Sequence, residues 1–374
     1  MAEAWRLIQD EGAGAAEGLA LDEALMGAYG RGQPEAPPTL RLYTYRSHCA
    51  LVGRYQNLQA EVDLEACSRT GTEVSRRPTG GGAIVMGAGQ LGVALIDKAP
   101  VDKRPREIIE ESSAAIVAGL AELGITATFR GKNDLEVAGR KIAGLGLYVD
   151  DAGAMLFHAS ILADLDVDFM LEVLRIPVAK LADKAAAAVG ERVTTVTRET
   201  GQPHVGAAVR DVIAIGFAKT FGVQLSPAAP DRTELLRAAA LVGDRYRADA
   251  WLNERSAIPD GSGSAVLKTP SGLLRMYVST HGDLVKSAVI VGDFSILPRA
   301  VGRLESELRW KRLDTGTVAK IVAASGADRA LSVSADLLTQ TVLTAGRKAS
   351  MLAAAAPVRS AGSCYFPEQS LERM

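Results

Sequence analysis

Two segments of the chain have residue types and spacing that could do chemistry. The first is Arg76-Arg-Pro-Thr-Gly-Gly-Gly82, and the second is Asn133-Asp-Leu-Glu-Val-Ala-Gly-Arg-Lys-Ile-Ala-Gly144. Three glycines after a strand-like run (Glu73–Arg77) let the main chain fold tightly, so that its N–H groups converge on an anion. A bare glycine triplet would otherwise be only a flexible turn. Arg76 and Arg77 alternate in direction on a strand, which puts one of them beside Gly80, Gly81 and Gly82. A guanidinium there would clamp a carboxylate or phosphate. Asn133 and Asp134 open a strand. Asp134 could accept from a ribose or ammonium group, or help hold a magnesium ion. Lys141 leaves the turn at Gly139. A lone lysine is usually surface decoration, but one on a hairpin is pre-oriented and can be aimed at an activated carboxyl group.

Other candidates carry less. Gly87-Ala-Gly-Gln-Leu-Gly92 matches a dinucleotide fingerprint by letters, yet Val-Ala-Leu-Ile-Asp follows where a helix should open, so it reads as a hairpin turn. The four histidines and three cysteines form no metal-ligand spacing. His158, in the apolar run Leu156–Ser160, reads as a satisfied core histidine, and Cys49 as a small core hydrophobe. Cys364 has no nearby base in sequence. A net charge of −2 argues against a general nucleic-acid binder. No apolar run approaches the roughly 20 residues that span a bilayer, and no apolar leader opens the chain. The expectation is a cytoplasmic protein with neither nucleic-acid nor membrane partners.

The elements that must position these residues follow from periodicity. Residues 17–29 repeat with helical spacing, and 38–56 alternate like strands. Asp63–Cys67 begins a short helix. Ala83–Met86 and Val93–Ile96 are strand-length apolar runs. Pro105 to Gly124 is a helix, with proline in its first turn and glycine as its stop. Leu135–Val137 and Lys141–Ala143 read as a hairpin, and Val167–Leu174 and Ala207–Phe221 as helices. Weak periodicity over 178–204 reads as partly mobile. Ser226-Pro-Ala-Ala-Pro230 marks a composition break, and Thr233–Val242 makes a helix beyond it. A compact module follows, with strands near 265–268, 273–280 and 284–291. A helix near 297–309 carries Leu304, Leu308 and Trp310, and an Ala-rich helix runs from about 334 to 354. At 374 residues two domains are the default.

In order and spacing, these segments resemble the lipoate–protein ligases of the biotin/lipoate ligase superfamily, over nearly the whole chain. Val52-Gly-Arg-Tyr-Gln-Asn57 looks like that family's Gly-Arg-x-Gln-Asn segment, and Arg76–Ala83 like its glycine loop. Lys132–Gly144 looks like the stretch with its essential lysine, here Lys141. His158–Leu162 and Arg192-Val-Thr194 resemble weaker motifs. Ile290–Phe294 with Leu304–Leu308 resembles the small accessory domain. The resemblance implies an α/β (α+β) fold. It has a mixed β-sheet catalytic domain over 1–250 and a small α/β C-terminal accessory domain over 255–345, with 346–374 left as a tail. It implies ATP and Mg²⁺ as cofactors and lipoate or octanoate as substrate, activated as an acyl-AMP. The acyl group would pass to a lysine of lipoyl carrier domains of 2-oxoacid dehydrogenases or of the glycine-cleavage carrier protein. Arg76, Arg77, Thr79, Gly80, Gly81, Gly82, Ala83, Asn133, Asp134, Gly144 and His158 would bind substrate and ATP, with Asp134 also on Mg²⁺. An apolar slot for the acyl chain would involve Leu91, Val93 and Leu145.

The chain departs from the family after the glycine loop (Ile84–Gly92), over 178–200 and beyond 346. An octanoyltransferase of the same superfamily is the nearest rival. It would use an enzyme thioester, but Thr126–Gly131, where its cysteine belongs, has none. A non-catalytic carrier-binding protein is the rival from another class.

Overall fold

The computed structural model describes residues 3–30, 32, 36–131, 133–175, 189–270, 272–294 and 297–355. Their contacts cluster into two compact units. One comprises Met1–Ala257 with Gly292–Leu297, and the other Ile258–Val291 with Pro298–Met374.

The strands of the first unit are β1 (Ala4–Ala13), β2 (Thr39–Tyr45), β3 (Cys49–Val52), β4 (Glu73–Arg76), β5 (Ile84–Met86), β6 (Gln90–Lys98), β7 (Thr128–Arg130), β8 (Asp134–Val137), β9 (Arg140–Val149), β10 (Ala154–Leu162) and β11 (Gln224–Pro227). Eight form a mixed sheet in the order β11-β1-β2-β6-β10-β9-β8-β7. β1 runs parallel to its neighbours β2 and β11, and β6, β10, β9, β8 and β7 are antiparallel throughout. A small sheet, β4-β3-β5, stands beside it.

β2 and Gln90–Ile96 of β6 are buried at every position, as strands covered on both faces are, although β2 carries the polar residues Thr39, Arg41 and Thr44. One face is covered by the helices Pro105–Ala121 and Arg210–Phe221, over a core that includes Leu40, Leu91, Val93, Ile116, Phe157 and Phe217. These helices pack closely because they meet at glycines: a Cβ on Gly216 would lie 2.4 Å from the Gly119 nitrogen. The other face is covered by the helix Ala15–Met26, over Ile8, Leu25, Tyr43, Tyr45, Ile96 and Leu156. Arg41, wholly buried under that helix, pairs with Asp22 and Asp10, both at 2.6 Å. The partners satisfy a charge that burial alone would make costly.

The second unit has a three-stranded sheet of β12 (Gly263–Thr269), β13 (Gly272–His281) and β14 (Leu284–Gly292), with the helices Arg299–Leu308, Thr315–Ser325, Ala327–Leu331 and Ala335–Ala355. Leu304 and Leu308 are buried, but Trp310 lies beyond the end of the helix Arg299–Leu308 and is exposed. Of the stretch 178–204, residues 178–188 lie outside the described residues. The remainder includes the short helix Val196–Thr200. Among the described residues no helix is long and apolar enough to cross a membrane.

Candidate active site

The glycine loop and Lys141 meet in one cavity. It has a volume of about 120 Å³, and its wall includes Leu19, Tyr43, Tyr45, Arg77, Gly80–Ala83, Asn133, Lys141, Gly144, Leu145 and His158. A second cavity of about 290 Å³ adjoins it through Gly80, Gly81, Asn133 and Leu145, and adds Tyr55, Thr79, Ile109, Leu147 and Tyr148.

Strand geometry explains how Lys141 arrives there. Ala138 and Gly139 take φ of 49° and 79°, making the tight turn between β8 and β9. By simple alternation Lys141 would share a face with Ala143 and Leu145, which belong to the buried core. The β8–β9 register instead slips here: Leu135 pairs with Ala143, but Glu136 with Lys141. The bulge re-aims the lysine towards the Gly144 side. There its Nζ sits 2.7 Å from Asp134 Oδ1. A Cβ on Gly144 would lie 3.1 Å from that Nζ, so glycine leaves the ammonium room.

The main chain of Lys141 is held from its other edge as well. Its N–H donates to the Arg192 carbonyl at 2.8 Å, and its carbonyl accepts from Thr194 N–H at 2.8 Å. Glu199 then gathers the neighbours, accepting from Arg140 at 2.9 Å and from the Thr194 hydroxyl. The segment Arg192–Thr194 thus fixes the lysine's backbone.

The two arginines have unequal roles. Arg76, fully buried, donates to the carbonyls of Gly53, Arg54, Gln56 and Leu252 at 2.7–3.1 Å. Its guanidinium fastens a loop and leaves no clamp for a ligand. Arg77 donates to Leu51 O at 2.5 Å and Gly82 O at 2.8 Å, which sets the shape of the glycine loop. Its Nε–H is buried without a partner, and it has no acidic partner among the described residues. Burial lowers Arg77 to about 10, so it stays charged at neutral pH. The cavity wall therefore holds an uncompensated positive charge, which favours an anionic ligand.

The loop itself is tightly seated. A Cβ on Gly53 would lie 1.9 Å from the Gly81 carbonyl oxygen, so only glycine fits beneath it. Gly81, at φ 93°, donates its N–H to Phe294 O at 3.0 Å, so that N–H is not available to an anion. The N–H groups of Gly80 and Gly82 have no partner among the described residues. Residues Gly292–Phe294 also reach Tyr55, whose carbonyl accepts from Gly292 N–H at 2.9 Å.

His158 lies across from the loop, with Nε2 3.0 Å from the Thr79 hydroxyl. Burial, reinforced by the Arg77 charge, pushes its imidazole down to about 3, so it is neutral in the folded protein. An unfolded chain takes up that proton below about pH 6.5. The folded state therefore loses stability as pH falls from there towards 3. We expect His158→Gln to flatten the fall in Tm between about pH 7 and pH 5, measured by thermal unfolding at each pH.

Leu145 reaches both cavities, but Leu91 and Val93 stay in the core and line neither. Sequence reasoning missed Leu19, Tyr43 and Tyr45. The two tyrosines were detectable as alternate residues on one face of a strand. Among the described residues no group of three or more His, Cys, Asp or Glu side chains could hold a metal ion. Cys49 and Cys67 are buried and line neither cavity, and burial pushes both thiols up.

The octanoyltransferase LipM of Symbiobacterium thermophilum is 33% identical over 269 residues, covering 66% of this chain and 97% of that protein. The bi-partite lipoate protein ligase of Thermoplasma acidophilum superposes with a TM-score of 0.61 at 28% identity, covering 69% of this chain and 98% of that one. A lipoate-protein ligase A bound with ATP gives 0.58 at 25% identity, covering 67% and 98%. Residues 14–218, more than half of the chain, match the lipoyl protein ligase A/B catalytic domain family, and the protein belongs to that family.

Proposed function

We propose that the protein is an ATP-dependent ligase that activates lipoate, or octanoate, as an acyl-adenylate and passes the acyl group to a lysine of a lipoyl carrier domain. The observation that carries this reading is Lys141, aimed by its bulge into a cavity with no cysteine among the described residues of its wall. A carboxylate oxygen of the acid attacks the α-phosphorus of ATP, and the bond to the bridging oxygen breaks to release pyrophosphate. The ε-amine of the carrier lysine then attacks the acyl carbonyl, AMP leaves, and the amine's proton goes to solvent. Neither step needs a protein nucleophile. What the first step needs is neutralisation of converging negative charges, and the Lys141 ammonium and the Arg77 guanidinium are placed for it. The Gly80 and Gly82 N–H groups add fixed donors. The apolar side chains of Leu19 and Leu145, with the rings of Tyr43 and Tyr45, would take the acyl chain. Asp134, the carboxylate ion-paired with Lys141, would hold a Mg²⁺, which would help neutralise the charge of the phosphates. The ATP-bound relative supports nucleotide use.

The relative named an octanoyltransferase favours a second reading, ATP-independent transfer through an enzyme thioester. Against it, thioester formation needs an accessible thiolate, and neither of the described cysteines, Cys49 and Cys67, offers one; Cys364 lies outside the described residues. One experiment separates the two: carrier-domain mass after incubation with Mg²⁺-ATP and free acid, or with an acyl carrier protein thioester and no ATP. We expect a gain only in the first case, with release of AMP and pyrophosphate. A gain only in the second would replace this reading with the transferase one.

A further inference from the structure

Whereas Trp5 and Trp251 are buried, Trp310 is exposed. Its backbone is left-handed at φ 60°, a conformation that bulky L-residues rarely adopt and that carries strain. The conformation is held in place by its neighbours. Trp310 N–H donates to Val285 O at 2.6 Å, Val285 N–H to Lys311 O at 2.8 Å, and Leu313 N–H to Asp283 O at 2.8 Å. The strain does not serve burial, because the side chain is 51% exposed. It is flanked in sequence by Arg309, Lys311 and Arg312, all exposed. Arg312 pairs with Asp283 at 3.2 Å, while Arg309 and Lys311 have no acidic partner among the described residues.

We propose that Trp310, with Arg309 and Lys311, is a docking surface for an acidic face of the protein that accepts the acyl group. This rests on the ligase reading above, which requires a folded protein substrate. An exposed aromatic ring on a rigid backbone is the usual anchor of such an interface, and free cations at its rim steer an acidic partner into register. Two unpaired cations are too few to hold a nucleic acid or a bilayer, whose binding relies on many charges.

The test uses the full-length enzyme and a lipoyl carrier domain with an acidic face and a free acceptor lysine. Trp310→Gly removes the ring at a φ that glycine adopts without penalty, so Tm should hold or rise. We expect the carrier KM to rise about tenfold or more, with acyl-AMP formation from free acid unchanged. Arg309→Glu with Lys311→Glu should also raise carrier KM and reduce its salt dependence. A carrier KM within about twofold of wild type in both variants would overturn the proposal. So would binding of wild-type protein to anionic vesicles that Trp310→Gly abolishes, since that assigns the ring to a membrane. If the wild type makes no acyl-AMP, the ligase reading fails. Calorimetric titration of the carrier into both proteins still decides the surface: equal affinities overturn it.

Discussion

Lys141→Ala is expected to abolish most acyl-adenylate formation while leaving the fold intact. The side chain is about one-third exposed, and its only described ion pair is with Asp134. An exposed pair of this kind contributes little to stability. Its catalytic contribution should be far larger, because a fixed ammonium in the cavity meets charge as it redistributes on the phosphate. Loss of one preorganised charge-stabilising donor costs about 10² to 10³ in rate. Pyrophosphate exchange at saturating acid and ATP measures the step. Near-normal exchange in a variant with unchanged Tm would remove Lys141 from the chemistry. Lys141→Arg should not restore activity, since a planar guanidinium does not present its charge and donors as a compact ammonium does.

Arg76→Met should do the reverse and act on stability. Its guanidinium is the shared donor for four main-chain carbonyls, three from the loop at 53–56 and one from Leu252. Removing it strands buried acceptors, and breaking a buried charged network of this kind costs about 3–5 kcal/mol. For a unit of this size that is a fall in Tm of about 6–20 °C. Calorimetric unfolding of the variant checks it. A drop of only about 1–2 °C, with weakened binding of ATP or acid, would return Arg76 to the ligand site.

The difference between these two residues shows what could be read in the sequence. Strand alternation, the glycine loop and the Ala138-Gly139 turn are local, and local rules placed them. The positions of Arg76's partners are not local: Leu252 lies far along the chain, and no spacing rule links it to a strand at 73–76. The same limit applies to Lys141. Its hairpin was legible, but the bulge that turns it away from Ala143 and Leu145 depends on pairing register, which strict alternation cannot foresee. Val93 was read on a strand but Leu91 in the turn before it, although both lie on β6, and which face borders a cavity is decided by what packs against it. Helices Thr315–Ser325 and Ala327–Leu331 went unread, and Trp310 was expected on a helix it only follows.

The return of the chain at Gly292–Phe294 bears on how this protein could be divided in two. The first unit is completed by residues encoded after most of β12–β14, and one of them supplies the carbonyl that holds Gly81. A gene broken after codon 257 would therefore not yield a self-sufficient catalytic half. Its product would lack the acceptor for Gly81 N–H and the donor for Tyr55 O until a second polypeptide brought them back. Fragments 1–257 and 258–374 should accordingly be weak alone and complement one another when mixed. By contrast, a fragment ending near 297 would keep both contacts, and would be the smaller change for fission or fusion to act upon.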